Sequence, residues 1–240
     1  MVVNKHGSFY MRSGWGTKII QAVEQDAMIF TPSGEQEAID NIGLGRVMIK
    51  ALRYWSDAMG LTYEEKEQGG IRLVPEPIYY SILNHDLYFQ RLGSLLLLHR
   101  NLALNEENAT AWYWLFNEWK QNVFTKDAFV DGFHSFLSVN GMKVKKIAVD
   151  KEFNCLKNTY IGEGKFDKNS IMDEDTYPFL APLQILKETG KNTYEKRSLT
   201  GKEVPLEILI YSIAMDNIDE SSSGRQINID KLMEEKWQIG

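Results

Sequence analysis

Residues 42–60, IGLGRVMIKALRYWSDAMG, carry the reading on which the fold turns. Gly43 and Gly45 flank a tight turn and Gly60 closes the run. Between them, 46–59 holds no proline and repeats apolar side chains at helical spacing. Wound at about 100° per residue, Met48, Ala51, Leu52, Trp55 and Met59 fall on one side, with Ala58 at its edge. Arg46, Lys50, Arg53 and Asp57 fall on the other. The apolar side is a core stripe. The cations, spaced four and three apart, make a row suited to a groove or a line of phosphates.

The neighbouring segments give that helix its context. Upstream, 15–26 reads as a helix with Ile19, Ile20 and Val23 inward. A turn, FTPSG, and a short helix through Glu35, Ala38 and Ile39 follow, with Ser33 as candidate cap. Downstream, LTYEEKEQGGIRLVPEP (61–77) reads as two short strands around Gln68-Gly69-Gly70, stopped by Pro75 and Pro77. Helix, helix, turn, helix, hairpin is the order of a winged helix-turn-helix, whose last helix enters the major groove. Arg46, Lys50 and Arg53 are expected to face nucleic acid, and Arg72 in the hairpin to touch the backbone. Two plainer readings stay open: a solvated helix face, and the same module used to dock a protein.

The remainder reads as further helices. Residues 78–104 look helical, with Leu95, Leu98 and Leu102 in step. NEENATAWYWLFNEWKQ (105–121) is another helix, capped by Asn108 or Thr110. Its Trp112, Leu115, Phe116 and Trp119 recur at helical spacing, which favours core packing over base stacking. Thr125 caps a helix to about 137 with Asp127 in its first turn. After the SVNG turn, a helix with Phe153, Leu156 and Tyr160 completes a second helix-turn-helix-like pair. Residues 141–168 hold seven Lys against four acids. Lys143 and Lys146 are its candidate nucleic-acid contacts, Lys151 stands nearby, and Lys145 falls near the apolar side of the wheel. A polar loop at 162–177, an apolar helix at 205–215, the polar stretch DESSSGRQ and a short terminal helix follow. The fold class is therefore mainly α with minor β. A winged-helix-like module spans 1–95, a helical module 96–165, and a loop with helical segments 166–240.

Composition narrows the function. A net charge of −6 over 240 residues gives no global attraction to nucleic acid, so any contact needs a local basic face. The single cysteine, Cys155, builds neither a disulfide framework nor a multi-cysteine zinc site within one chain. His6, His85, His99 and His134 show no metal-ligand spacing, and no metal or cofactor is expected. His99 and His134 read as hydrogen-bonded structural groups, and Cys155 as a buried inert thiol. Walker, nucleophile-elbow and dinucleotide motifs are absent, and DKNSIMDED lacks the glycine and final glutamate of a calcium loop. An enzyme reading keeps only Arg12 and Lys18 as a candidate anion site. The start has no signal-like apolar core, and the longest pure apolar run is Leu95 to Leu98. A cytoplasmic protein without a membrane partner is the expectation.

Four ordered motifs add a resemblance: FYMRSGWGTK (Phe9, Arg12, Gly14, Trp15, Lys18), IGLGRVMIKALRYWSDAMGL (Gly43, Gly45, Arg53, Tyr54, Trp55), ATAWYWLFNEW (Trp112 to Asn117) and DKEFNCLKNTYIG (Asp150, Cys155, Tyr160). The chain resembles the uncharacterised prokaryotic family called domain of unknown function 4007, over most of its length and less so after about residue 165. The ending EEKWQIG reads as the approach to a final family segment, so the native chain is expected to continue past Gly240. The resemblance implies a bacterial protein. It also implies companions among DNA-modification and phage-defence genes, notably phosphorothioate modification with sulfotransferase-like or reductase-like partners. It supplies no activity and no catalytic residues. The expected function is an accessory protein of such a system that binds DNA through the winged-helix module; the alternative is a scaffold that docks a modification enzyme without contacting DNA.

Overall fold

A computed structural model of the chain describes residues 1–162 and 176–216. The polar loop before 176, with DKNSIMDED, and the terminal segment after 216 lie outside the described residues.

The glycine-bounded helix forms as α3 (Arg46–Ala58). Gly45 precedes it in extended conformation, and Gly43 turns the chain with φ 72°, a left-handed value that an L side chain resists. α3 buries Ile49, Ala51, Leu52, Tyr54, Trp55 and Ala58, while Met48 is only half-buried. The core stripe is thus rotated towards Ile49 and Tyr54 relative to the wheel. α1 (Trp15–Gln25) and α2 (Glu35–Ile42) pack on it. Gly34, not Ser33, occupies the N-cap position of α2; the Ser33 hydroxyl bonds that of Thr31 instead. β1 (Thr62–Glu67) and β2 (Gly70–Pro75) form an antiparallel hairpin with Thr62 opposite Pro75 and Glu67 opposite Gly70.

The expected single helix over 78–104 is two: α4 (Pro77–His85) and α5 (Leu92–Leu104). Asp86 makes the break. Its carboxylate accepts from the N–H groups of Gln90 (2.8 Å) and Arg91 (3.1 Å), replacing helical bonds there. Phe89, at φ 52°, turns inward against Phe179 and fills the space above Gly16. The aromatic helix also departs from expectation. Neither Asn108 nor Thr110 caps it: Ala109 precedes α6 (Thr110–Tyr113), which widens into a π-helical turn, Trp114–Glu118. Trp119 N–H closes that turn on the Trp114 carbonyl at 2.9 Å.

Thr125 does cap α7 (Lys126–Val139), accepting from Ala128 N–H at 3.2 Å. α8 (Lys146–Tyr160) packs against α7. A second sheet joins the middle of the chain to its C-terminal part: β3 (Val123–Thr125), β4 (Leu186–Gly190) and β5 (Thr193–Lys196) pair antiparallel in the order β3-β5-β4. α9 (Leu206–Asp216) ends the described chain, at nearly the expected bounds.

The architecture is α+β, with helices dominating two small sheets among the described residues. A continuous core runs from Tyr10 to Tyr194 and contains two aromatic nests. In the first, His6 stacks on Trp55 (6.2 Å, 18°) beside Tyr54 and Trp112. In the second, Trp114, Phe129, Phe133, Phe153 and Tyr194 join the π turn to α7, α8 and β5. Core packing is thus the role of the dense aromatic stretch. Among the described residues no helix is long and apolar enough to cross a membrane.

Candidate nucleic-acid interface

The row on α3 lies where the sequence places it, but carboxylates meet every member. Glu35, first residue of α2, lies 2.9 Å from Arg46 Nε and 3.5 Å from Lys50 Nζ. Glu64 on β1 takes Arg53 in a two-pronged pair at 2.7 and 2.8 Å. Arg53 hydrogen bonding holds the Glu64 carboxyl below its ordinary range. Arg72 pairs with Glu67 across the hairpin at 3.1 Å. Residues 35–75 carry five Lys or Arg against seven Asp or Glu. The row is geometrically intact and electrostatically neutralised. That balance was readable from the same stretch; the wheel, which treats one helix alone, hid it.

These pairs are shallow, however. Arg46 and Lys50 side chains stay 64% and 69% exposed. Exposed pairs of this kind contribute about 0.2–1 kcal/mol. A small cavity of about 210 Å³ opens beside them, between Phe30, Pro32, Ile49, Lys50 and Arg53.

The second basic element differs. Between α7 and α8 the chain turns at Gly141 (φ 79°) and enters α8 through Lys145. His134 Nε2 donates to the Val144 carbonyl at 2.9 Å, fixing the connection to α7. Lys143, Lys145 and Lys151 are exposed, and none of their ammonium groups has a hydrogen-bond or ion-pair partner among the described residues. Lys145 precedes the helix as its N-cap residue, so the wheel position that put it near the apolar side does not apply. Lys146 pairs with Asp131 at 2.6 Å, both side chains above 60% exposed. Residues 141–162 carry five Lys against two acids, and the acids Asp150 and Glu152 are engaged elsewhere. Val139 and Ile147, 87% and 67% exposed, stand at the same corner.

The two members of the candidate anion site differ in what they touch. Lys18 Nζ donates to the Ile42 carbonyl at 2.8 Å, capping the C-terminal end of α2. The Arg12 guanidinium lies over the rings of Tyr10 and Trp15, with Nε buried and without a hydrogen-bond partner among the described residues, while Arg12 pairs its backbone with Pro178 in an isolated bridge.

Buried titratable groups are structural ties. Glu152 accepts from His6 Nε2 (3.1 Å) and from the Asn4 backbone N–H through the same oxygen. His6 Nδ1 accepts from Ser8 N–H (3.0 Å), so Nε2 carries the ring proton. His99, bonded to the Tyr160 hydroxyl at 2.8 Å, is pushed by burial down to about 3 and stays neutral. Burial, then Glu152, pushes the Cys155 thiol up, as suits an inert side chain. Lys196 on β5 donates to the Leu115 and Trp119 carbonyls at the end of the π turn. Burial, with Lys120 adding repulsion, lowers it to about 8. Sequence reading missed His6, Glu152 and Lys196 because their partners lie 146 and about 80 residues away.

Comparison with known proteins gives the fold and the family. The magnesium ion-bound SspB crystal structure superposes with a TM-score of 0.79 at 21% identity, covering 96% of this chain and 70% of that one. A second SspB crystal structure superposes with a TM-score of 0.73 at 22% identity, covering 87% and 63%. The magnesium belongs to that first structure; among the described residues here, no three His, Cys, Asp or Glu side chains gather as metal ligands. No curated protein sequence matches the chain. The family model described as "Protein of unknown function (DUF4007)" matches residues 3–240. On that match, the chain belongs to the DUF4007 family of proteins of unknown function.

Proposed function

We propose that this protein is a non-catalytic accessory subunit of a bacterial DNA-modification system, and that it contacts nucleic acid mainly through the α7–α8 corner. The observation that carries the reading is the set of lysines there that are unpaired among the described residues: Lys143, Lys145 and Lys151, with Lys146 one weak pair away. Free ammonium groups on a solvated corner release counterions from phosphate, which is the main source of non-specific affinity. The system assignment rests on the resemblance described above and on the likeness to SspB. The α1–α2–α3–β1–β2 order supports a winged-helix module. In this reading its row of Arg46, Lys50, Arg53 and Arg72 adds to binding only when phosphate displaces Glu35, Glu64 and Glu67. Arg12 and Lys18 have no part in it.

Fluorescence anisotropy on a labelled duplex, plain or phosphorothioate, at two salt concentrations tests the proposal. The variant Lys143→Glu/Lys145→Glu/Lys151→Glu is expected to bind at least tenfold more weakly. Its log K against log salt slope should be shallower by about 2.7, at about 0.9 per phosphate contact. Unchanged affinity would remove the α7–α8 corner from the account. A second reading, a scaffold that docks a modification enzyme, is favoured by the exposed apolar Leu206, Leu209 and Ile210 of α9. Its mark is a stable complex with that enzyme, insensitive to the three lysine changes.

A further inference from the structure

A cleft of about 350 Å³ lies between the start of α5, the 3₁₀ turn Ala181–Leu183 and the loop after β5. That volume is at the small end of ligand pockets, about 300–1,000 Å³. Leu92, Leu96, Leu183 and Leu199 line it, with Leu96 and Leu183 buried at its floor.

The polar rim is asymmetric. Glu203 is fully used within the loop. It takes Arg197 through both oxygens at 2.8 and 3.1 Å, and accepts the backbone N–H and hydroxyl of Thr200, each at 2.9 Å. These bonds, the Arg197 one first, hold the carboxyl down at about 2, so it stays ionised. Arg197 Nε also donates to the Gln184 carbonyl at 2.9 Å, tying the loop to the far wall. The rim's pair is therefore internally neutral and rigid. Lys202, exposed at the mouth, has no hydrogen-bond or ion-pair partner among the described residues. An apolar floor below one uncompensated cation matches a single negative charge on an aliphatic tail. A neutral tail would leave the ammonium without a counter-charge, and a dianion would face Glu203.

The geometry points to a binding site for a medium-chain aliphatic carboxylate, its tail among the four leucines and its head at Lys202. The site shares no lining residue with the lysines of the α7–α8 corner and does not depend on nucleic-acid binding. Isothermal titration with octanoate, octan-1-ol and octylamine on the full chain tests it. Octanoate is expected to saturate one site, with octan-1-ol and octylamine at least tenfold weaker. Lys202→Glu should weaken octanoate at least tenfold while leaving octan-1-ol unchanged, and Leu199→Ser should weaken both. Octan-1-ol binding as tightly as octanoate would make the cleft a neutral apolar groove and overturn the inference. So would no saturable octanoate binding, or Lys202→Glu without effect. Both positions are at least partly exposed, and circular dichroism of each variant verifies the fold.

Discussion

Glu152 offers a sharp test of how the N-terminal segment is held. One of its carboxylate oxygens accepts both from His6 Nε2 and from Asn4 N–H, and both side chains of the His6–Glu152 pair are buried. Rotation of the ring offers no relief, because Nδ1 already accepts from Ser8 N–H. Glu152→Ala leaves the buried His6 ring N–H and the partly buried Asn4 N–H without an acceptor, at about 1–3 kcal/mol each. A loss of about 4 kcal/mol follows, the middle of the range for two such donors. With a urea dependence of about 2 kcal/mol per molar, the denaturation midpoint should fall by about 2 M. Glu152→Gln separates charge from geometry. An amide oxygen in the same place keeps both bonds but loses their ionic reinforcement, roughly half their strength, so about 1–2 kcal/mol is expected. Equilibrium urea unfolding followed by tryptophan fluorescence suits the measurement, since Trp55 and Trp112 border His6. A loss below about 1 kcal/mol in Glu152→Ala, or equal losses in both variants, would refute this account of the tie.

Three further outcomes follow from other parts of the molecule. His99 stays neutral in the fold down to about pH 3 but takes a proton near 6.5 when unfolded, so the unfolded state binds more protons in that window. Stability should therefore fall as pH drops from 6.5 towards 3, by on the order of 1.4 kcal/mol per unit; His99→Gln should flatten that slope by one proton in urea titrations between pH 4 and 6.5. Gly132→Ala would place a Cβ 2.4 Å from the Trp119 ring and 3.1 Å from Trp114. Overpacking of about 1–3 kcal/mol should outweigh the helix propensity gained and alter the near-ultraviolet dichroism. Glu35→Gln with Glu64→Gln removes the two carboxylates that hold Arg46, Lys50 and Arg53. DNA affinity should rise several-fold with a steeper salt slope; unchanged anisotropy curves would exclude the α3 row from binding.

Local patterns were legible where the signal was local. The glycine-bounded α3, the Gln68-Gly69 hairpin turn and the Thr125 cap each follow from residues within a few positions of one another. The Asp86 break was hidden because YSILNHDLYFQRLG keeps its apolar density across the interruption. The C-terminal sheet was hidden because β4 exposes Lys187, Glu188 and Thr189 in succession, leaving no alternation to read. Gly190 and Asn192 (φ 54°) between two Thr- or Tyr-containing runs were the available hint. The site was half legible: a helical wheel finds a row of cations, but not the carboxylates that α2 and β1 bring to it. Position 145 shows the converse, since a wheel applied before the helix begins gives a direction the backbone never adopts.

Hydrogen–deuterium exchange of the chain with and without a saturating duplex measures the contact surface directly. The account predicts slowed exchange in peptides spanning 139–151, with a smaller effect over 46–58. Exchange unchanged across 139–151 while the duplex is bound would contradict it.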